Sequence, residues 1–263
     1  VRYREVDVAD RLTLLGHSTV VIDLHGVRVL TDPMLGHLAL AIRRQVPDVA
    51  ADELVDLSAV FISHGHLDHL DLASLRALPG EPAFIVPAGM GRHVVAKAVR
   101  GEVHEMVAGD RMSIGDLTLE AVPAEHGRRR SFFTSAVGPL GMLLTGSINI
   151  YFAGDTGLFP EMSHLAGRVD LALLPVGGWG PRLGSAHLDP ERAAEAAVRV
   201  HASAAVPIHW GTLYPLGLRR LAGHRFEEPG EAFRNAVAAR TAAIDVHVLR
   251  PGQSMLLDGR TRL

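Results

Sequence analysis

The chain has no cysteine among its 263 residues, which excludes disulfides, thiolate metal ligands and cysteine nucleophiles together. Any metal that it binds is therefore held by histidines and carboxylates. Also missing is an apolar run approaching the roughly 20 residues that a membrane-spanning helix needs. The charged start Val1-Arg2-Tyr3-Arg4-Glu5 lacks the apolar centre of a secretory leader. A cytoplasmic location without a transmembrane segment is the expectation. A broad basic field is absent as well, because the formal net charge is -3. That balance disfavours a protein that tracks nucleic-acid backbones and argues for a substrate of small or modest size.

What is present describes a folded globular protein. Hydrophobic residues make up 48% of the chain and charged residues 21%, too apolar for a disordered segment. No linker or low-complexity stretch divides the sequence, so residues 1–263 are read as one domain.

Strand and helix signals alternate along the chain, and the class they predict is α/β. Residues 12–15, 19–24 and 27–30 read as a β-meander closed by His25-Gly26. A poorly periodic segment follows, with the apolar patch 34–42 and the pair Arg43-Arg44, expected as loop and short helix. Val60-Phe61-Ile62-Ser63 is a short apolar strand that runs directly into a histidine cluster, after which residues 71–78 read as a helix stopped by Pro79-Gly80. Further strands are expected at 83–86, within 103–122, at 142–144 with 148–152 as a hairpin, and at 169–174, 205–208, 245–249 and 254–257. Helices are expected at 91–99, 190–201 and 231–240, the second announced by Asp189 as N-cap and Pro190 in the first turn.

The chemistry concentrates in His64-Gly65-His66-Leu67-Asp68-His69, four ligand-type side chains within six positions. Residues two apart in extended or loop backbone project to one side, so His64 and His66 are able to face one metal while the following turn offers Asp68 and His69 to another. Imidazole and carboxylate without thiolate suit a catalytic rather than a structural site. The competing reading is a solvated polar loop before a helix.

This run resembles the H-x-H-x-D-H signature of the metallo-β-lactamase superfamily, and further similar motifs extend from Leu14 to about Gly211. Within that superfamily the chain resembles the branch holding N-acyl phosphatidylethanolamine phospholipase D and the lactonases acting on ascorbate 6-phosphate. The segments that carry this are Leu15-Gly16-His17-Ser18-Thr19, Leu30-Thr31-Asp32-Pro33, Phe152-Ala153-Gly154-Asp155-Thr156-Gly157, His187-Leu188-Asp189-Pro190-Glu191 and Ile208-His209-Trp210-Gly211-Thr212.

The resemblance implies a four-layered αββα sandwich with the metals at one edge of the paired sheets. It implies that His64, His66 and His126 hold a first divalent ion, that Asp68, His69 and His209 hold a second, and that Asp155 bridges them. Zinc is the expected metal, with manganese and iron also compatible with such ligands. The activity implied is that of a hydrolase whose nucleophile is a hydroxide shared by both ions, with Asp68 orienting it. His187 is implied to contact the substrate and to assist the leaving group.

The leading substrate expectation is a phosphodiester of the N-acyl phosphatidylethanolamine type. The alternative is a lactone or other carbonyl ester or amide on a small, phosphorylated or unphosphorylated, molecule. A lipid substrate brings peripheral membrane contact with it, while no nucleic-acid partner is expected. Around this core Asp32 either accepts a hydrogen bond from a ligand histidine or is a plain turn residue, and His17 either lines the site or is structural. Arg128-Arg129-Arg130 is a candidate anion contact, and Trp179 and Trp210 are candidate pocket walls. The other eight histidines, His25, His93, His104 and His247 among them, are read as surface or structural.

Overall fold

A computed structural model describes residues 9–36, 42–91, 95–126, 138–177, 184–217 and 224–257. Two seven-stranded sheets stand face to face within it. The first takes β1 (Arg11–Gly16), β2 (Thr19–Leu24), β3 (Val27–Thr31), β5 (Ala59–Phe61), β6 (Ala83–Pro87), β7 (Val103–Met106) and β16 (Gln253–Leu256), in the spatial order β16-β1-β2-β3-β5-β6-β7. The second takes β8 (Arg111–Ile114), β9 (Leu117–Pro123), β10 (Leu140–Thr145), β11 (Ile150–Phe152), β12 (Leu171–Pro175), β13 (Ala204–Ile208) and β15 (Asp245–Val246), in the order β15-β13-β12-β11-β10-β9-β8. A two-stranded ribbon pairs β4 (Ile42–Arg44) with β14 (Leu213–Pro215).

The strands follow from their residues. β5, β12 and β13 are short apolar runs that are buried along their whole length, as parallel strands covered on both faces must be. Side chains alternate across each sheet, and the three apolar clusters record the alternation. Leu12, Leu14, Val20, Ile22, Phe61 and Ile85 of the first sheet pack between the sheets against Leu119, Met142, Phe152, Leu173 and Val206 of the second. Their sequence neighbours Val21, Leu30, Val60, Ile62 and Phe84 turn outward and pack with Leu75 of α1 (Leu72–Ala77). On the far side, Tyr151, Ala172 and Leu174 meet Ala193 and Ala197 of α2 (Pro190–Arg199) and Phe233 of α4 (Pro229–Ala238), which follows the short α3 (His224–Glu227). The result is the αββα sandwich expected from the resemblance.

Local signals hold where the structure can be compared with them. Asp71 caps α1 by accepting from the amides of Ala73 and Ser74, and Asp189 caps α2 by accepting from that of Arg192 at 2.9 Å. Three readings change. Residues 42–44 are strand rather than loop, because β14 supplies the ladder partner that no local pattern reveals. The last parallel strand stops at Val246. In the helix expected at 91–99, residues 92–94 lie outside those described. The described flanks bond from Val95 N to Met90 O and from Ala96 N to Gly91 O, a spacing of five residues where an α-helix has four.

This architecture positions one rim. β3, β5, β11 and β13 all run in parallel register with a neighbour in their sheet, and each is followed within three residues by a polar side chain: Asp32, Ser63-His64, Asp155 and His209 respectively.

Candidate metal centre

Seven buried or half-buried side chains from both sheets converge at that rim. His64, His66, Asp68 and His69 come from the loop between β5 and α1, His126 from the segment after β9, Asp155 from the turn after β11, and His209 from the end of β13. The two sheets can approach there because Gly154 has no side chain. With φ at +60°, it sits where an added Cβ would be 2.8 Å from Ser63 Cβ, and the Ser63 carbonyl accepts from Leu140 N at 2.9 Å. A larger residue would wedge the ends of β5 and β11 apart and separate Asp155 from the histidines.

The donor atoms fall into two sets that share one carboxylate. In the first, His64 Nε2 lies 2.9 Å from His66 Nδ1, which lies 3.0 Å from His126 Nε2, and His126 Nε2 is 3.9 Å from Asp155 Oδ2. In the second, Asp68 Oδ2 is 3.8 Å from His69 Nε2 and 3.6 Å from His209 Nε2, while Asp155 Oδ1 is 3.5 and 3.2 Å from the same two nitrogens. One oxygen of Asp155 thus faces each set.

These residues fit a pair of cations. Ligand atoms around a tetrahedral ion stand roughly 3.4 Å apart when the bonds are about 2.1 Å, and the observed separations bracket that value. Among the described residues His69 Nε2, His209 Nε2 and Asp155 Oδ1 are buried with no hydrogen-bond partner, an arrangement that costs free energy unless something else satisfies the atoms.

The partners of the opposite ring nitrogens show which edge of each imidazole faces the other donor atoms. His69 Nδ1 donates to Asp32 Oδ2 at 2.7 Å, His126 Nδ1 to the Ala186 carbonyl at 2.8 Å, and His209 Nδ1 to the Gly177 carbonyl at 3.1 Å. Ser63 Oγ donates to Asp32 Oδ2 at 2.6 Å, leaving it to accept from His64 Nδ1 at 2.9 Å. Each Nε2 is thereby turned toward its neighbours, the usual outer support of a metal-ligating histidine. Asp32 is the shared anchor of both sets, since it also accepts from Ser63 N at 2.7 Å and is fully buried.

Electrostatics follow the same division. Burial opposes the charge on Asp68 and Asp155, yet His69 and its neighbours hold Asp68 well below the usual carboxylate range, and His209 and His69 do the same for Asp155. Burial opposes charge on His69 and His209 too, but Asp155 and Asp68 raise both. His64 is pushed well below its ordinary value by burial and by His69, and His66 to about 4 by burial and by His126. The two carboxylates keep their charge and the imidazoles of His64 and His66 stay neutral, which are the forms that bind a divalent ion.

His187 joins the rim from the residues before α2. Its Nδ1 is 3.6 Å from Asp155 Oδ2, its ring stands edge-on to His126 at 4.5 Å, and about a quarter of the side chain is exposed. Burial lowers it to about 4 despite Asp155. His17, which the sequence leaves undecided, is buried beside Asp68 and His209. Trp210 turns away from the ligand sets. Its Nε1 donates to the Pro207 carbonyl at 2.9 Å, its ring covers Gly230, and it lines a separate cavity of about 290 Å³ with Val46, Phe226 and Arg250. Arg128-Arg129-Arg130 and Trp179 lie outside the described residues. Among the described residues, the sequence reading missed the anchoring carbonyls of Gly177 and Ala186, which no side-chain motif could announce.

A family model described as the beta-lactamase superfamily domain matches residues 27–210. The N-acyl-phosphatidylethanolamine-hydrolyzing phospholipase D 1 of Caenorhabditis elegans is 29% identical over 257 residues, 87% of this chain and 70% of its own. A UPF0173 metal-dependent hydrolase of Methanopyrus kandleri is 29% identical over 256 residues, 93% of this chain and 98% of its own. The structure of Igni18, a metallo hydrolase from Ignicoccus hospitalis, superposes with a TM-score of 0.71 at 23% identity, covering 95% of this chain and 99% of that one. This last likeness is one of fold.

Proposed function

The chain belongs to the metallo-β-lactamase superfamily and is a metal-dependent hydrolase, and from that premise we propose that it is a two-cation phosphodiesterase of phospholipase D type, acting on an N-acyl phosphatidylethanolamine-like lipid. The observation that carries the two-cation reading is the pair of donor sets joined by Asp155. His64, His66 and His126 would hold one ion, Asp68, His69 and His209 the other, with Asp155 between them. When bound, such ions supply Lewis acidity, polarising a phosphoryl oxygen and easing the ionisation of water.

The chain's own groups do the rest. Asp68, held charged in a buried setting, accepts a hydrogen bond from the attacking water and aims it at phosphorus. His187, neutral and half-buried on the open side of Asp155, donates a hydrogen bond to the alcohol oxygen that leaves as the phosphorus–oxygen bond breaks. Asp32 and the carbonyls of Gly177 and Ala186 fix the imidazoles so that none reorients during the reaction. Both sheets contribute to this one site, which supports reading residues 1–263 as a single catalytic domain.

The choice of a phosphodiester rests on the relationship to the nematode phospholipase across most of the chain and on the placement of His187. Among the described residues no helix is long and apolar enough to cross a membrane, so the lipid would be met at a bilayer or micelle surface. The test is a panel of N-acyl phosphatidylethanolamine in mixed micelles, simpler phosphodiesters, and sugar and homoserine lactones, run with zinc-, manganese- and iron-loaded protein. Release of phosphatidate and N-acylethanolamine is expected. Turnover of lactones with no turnover of any phosphodiester would move the electrophile from phosphorus to carbonyl carbon while leaving the metal centre in place.

A further inference from the structure

His17 belongs to none of the seven proposed ligands, yet the fold invests heavily in placing it. It lies in the turn between β1 and β2 with φ at 55°, a left-handed conformation that few non-glycine residues adopt without a local reason. Its amide donates to Thr212 Oγ1 at 2.7 Å, and its carbonyl accepts from the amide of His209 at 2.8 Å. The turn of the first sheet is thereby tied to the loop that follows β13 in the second. Gly16 makes the approach feasible: at φ +132°, any Cβ there would meet Thr212 Oγ1 and Cγ2 at 2.9 Å. Arg44 closes the back of this turn, donating to the carbonyls of Leu15 at 2.6 Å and Met34 at 3.3 Å.

The ring so placed is 3% exposed. It stacks obliquely on His209 at 3.9 Å between centroids and stands 5.4 Å from His69. Its Nε2 is 3.1 Å from Asp68 Oδ2. That oxygen is the one facing His69 and His209, and a carboxylate oxygen has two lone pairs.

We propose that His17 is the positioning residue of the second cation set: its Nε2–H occupies one lone pair of Asp68 Oδ2 and so aims the other at the point shared with His69 and His209. The assignment rests on the two-cation reading above. Asp32 plays the corresponding part for His69, and the carbonyl of Gly177 for His209, so His17 supplies the outer support of Asp68 in this set.

The test reads metal rather than turnover. Stripped protein is titrated with zinc against a chromophoric chelator, and both bound equivalents and their affinities are measured. Wild type is expected to take up two equivalents. His17→Phe, which keeps a planar ring and removes the donor, is expected to keep the first at wild-type affinity and to weaken the second by about 10- to 100-fold. His17→Gln, which restores a donor at similar reach, is expected within about threefold of wild type, as outer-shell rescue requires. Should the Phe variant fold poorly by thermal melting, His17→Leu removes the donor with less bulk and carries the same expectation. Two unaltered affinities in a folded donorless variant would overturn this inference alone, as would equal losses in the Gln and Phe variants, which would make shape and not the hydrogen bond the cause. Fewer than two equivalents in wild type would overturn the two-cation reading and this inference with it.

Discussion

The two roles proposed for Asp68 both depend on its surroundings. The sequence offers it as a carboxylate between two histidines, whereas the structure surrounds it with His17, His69 and His209 and keeps it charged although buried. Asp68→Asn preserves the shape but loses the anion and one acceptor oxygen. Turnover is expected to fall by at least about 100-fold, with the first cation retained and the second lost. Metal content and initial rates measured on the same preparation check this, and near-normal rates would remove Asp68 from its role. The histidines illustrate the complementary point. Their identity says that they can ligate, but which nitrogen does so is decided by the oxygen behind the ring, and those oxygens come from Ser63, Asp32, Ala186 and Gly177.

Elements convert these residues into a site by ending where they do. The run from His64 to His69 was legible because ligands and strand lie within one short stretch, so local geometry alone sets their relative placement. Asp155 and His209 carried a weaker signal, a polar residue after an apolar strand, and the resemblance rather than the pattern joined them to the run. β4 was missed because a three-residue strand gains its ladder entirely from β14, far along the chain.

Away from the rim, Glu120 of β9 shows how a second sheet is secured. It accepts from Arg168 at 2.6 Å and from Arg111 of β8 at 2.9 Å, and although burial opposes its charge these cations lower it below the usual glutamate range. A lowered carboxyl contributes stability above the unfolded-state value, near pH 4.3, and loses it as the pH falls through the folded-state value. Glu120→Gln should therefore cost about 0.5–1 kcal/mol at pH 7, discounted for the solvent exposure of both arginines, and less at about pH 3. Urea denaturation at both pH values measures it. An equal cost at both would assign the effect to packing instead of charge.

At the scale of the whole molecule, the candidate metal centre sits across the seam between two sheets, so cations binding there would bind only the folded state. Such ligands stabilise by mass action, by about 2.7 kcal/mol for a site at a hundredfold excess over its dissociation constant. In a protein of this size that corresponds to a melting temperature lower by about 5–10 °C for each cation removed. Scanning calorimetry with and without a chelator, followed by restoration with excess zinc, is expected to show a loss and its reversal. An unchanged transition would mean that the donor sets hold no ion under those conditions.

The sequence by itself determined the chemistry on offer: no thiol, histidine and carboxylate ligands, one dense cluster at a strand end, and well-capped helices whose apolar faces require a sheet to cover. Those properties depend on neighbours within a few positions, where residue type and backbone geometry suffice. Tertiary structure alone decided that Asp155 turns one oxygen to each donor set, that backbone carbonyls of Gly177 and Ala186 orient His209 and His126, and that His17 lies against Asp68, 51 positions away. Contacts of that kind arise where two sheets packed face to face meet along one rim. The bare backbone at Gly16 and Gly154, with no Cβ to hold the sheets apart, brings their strand ends to one point.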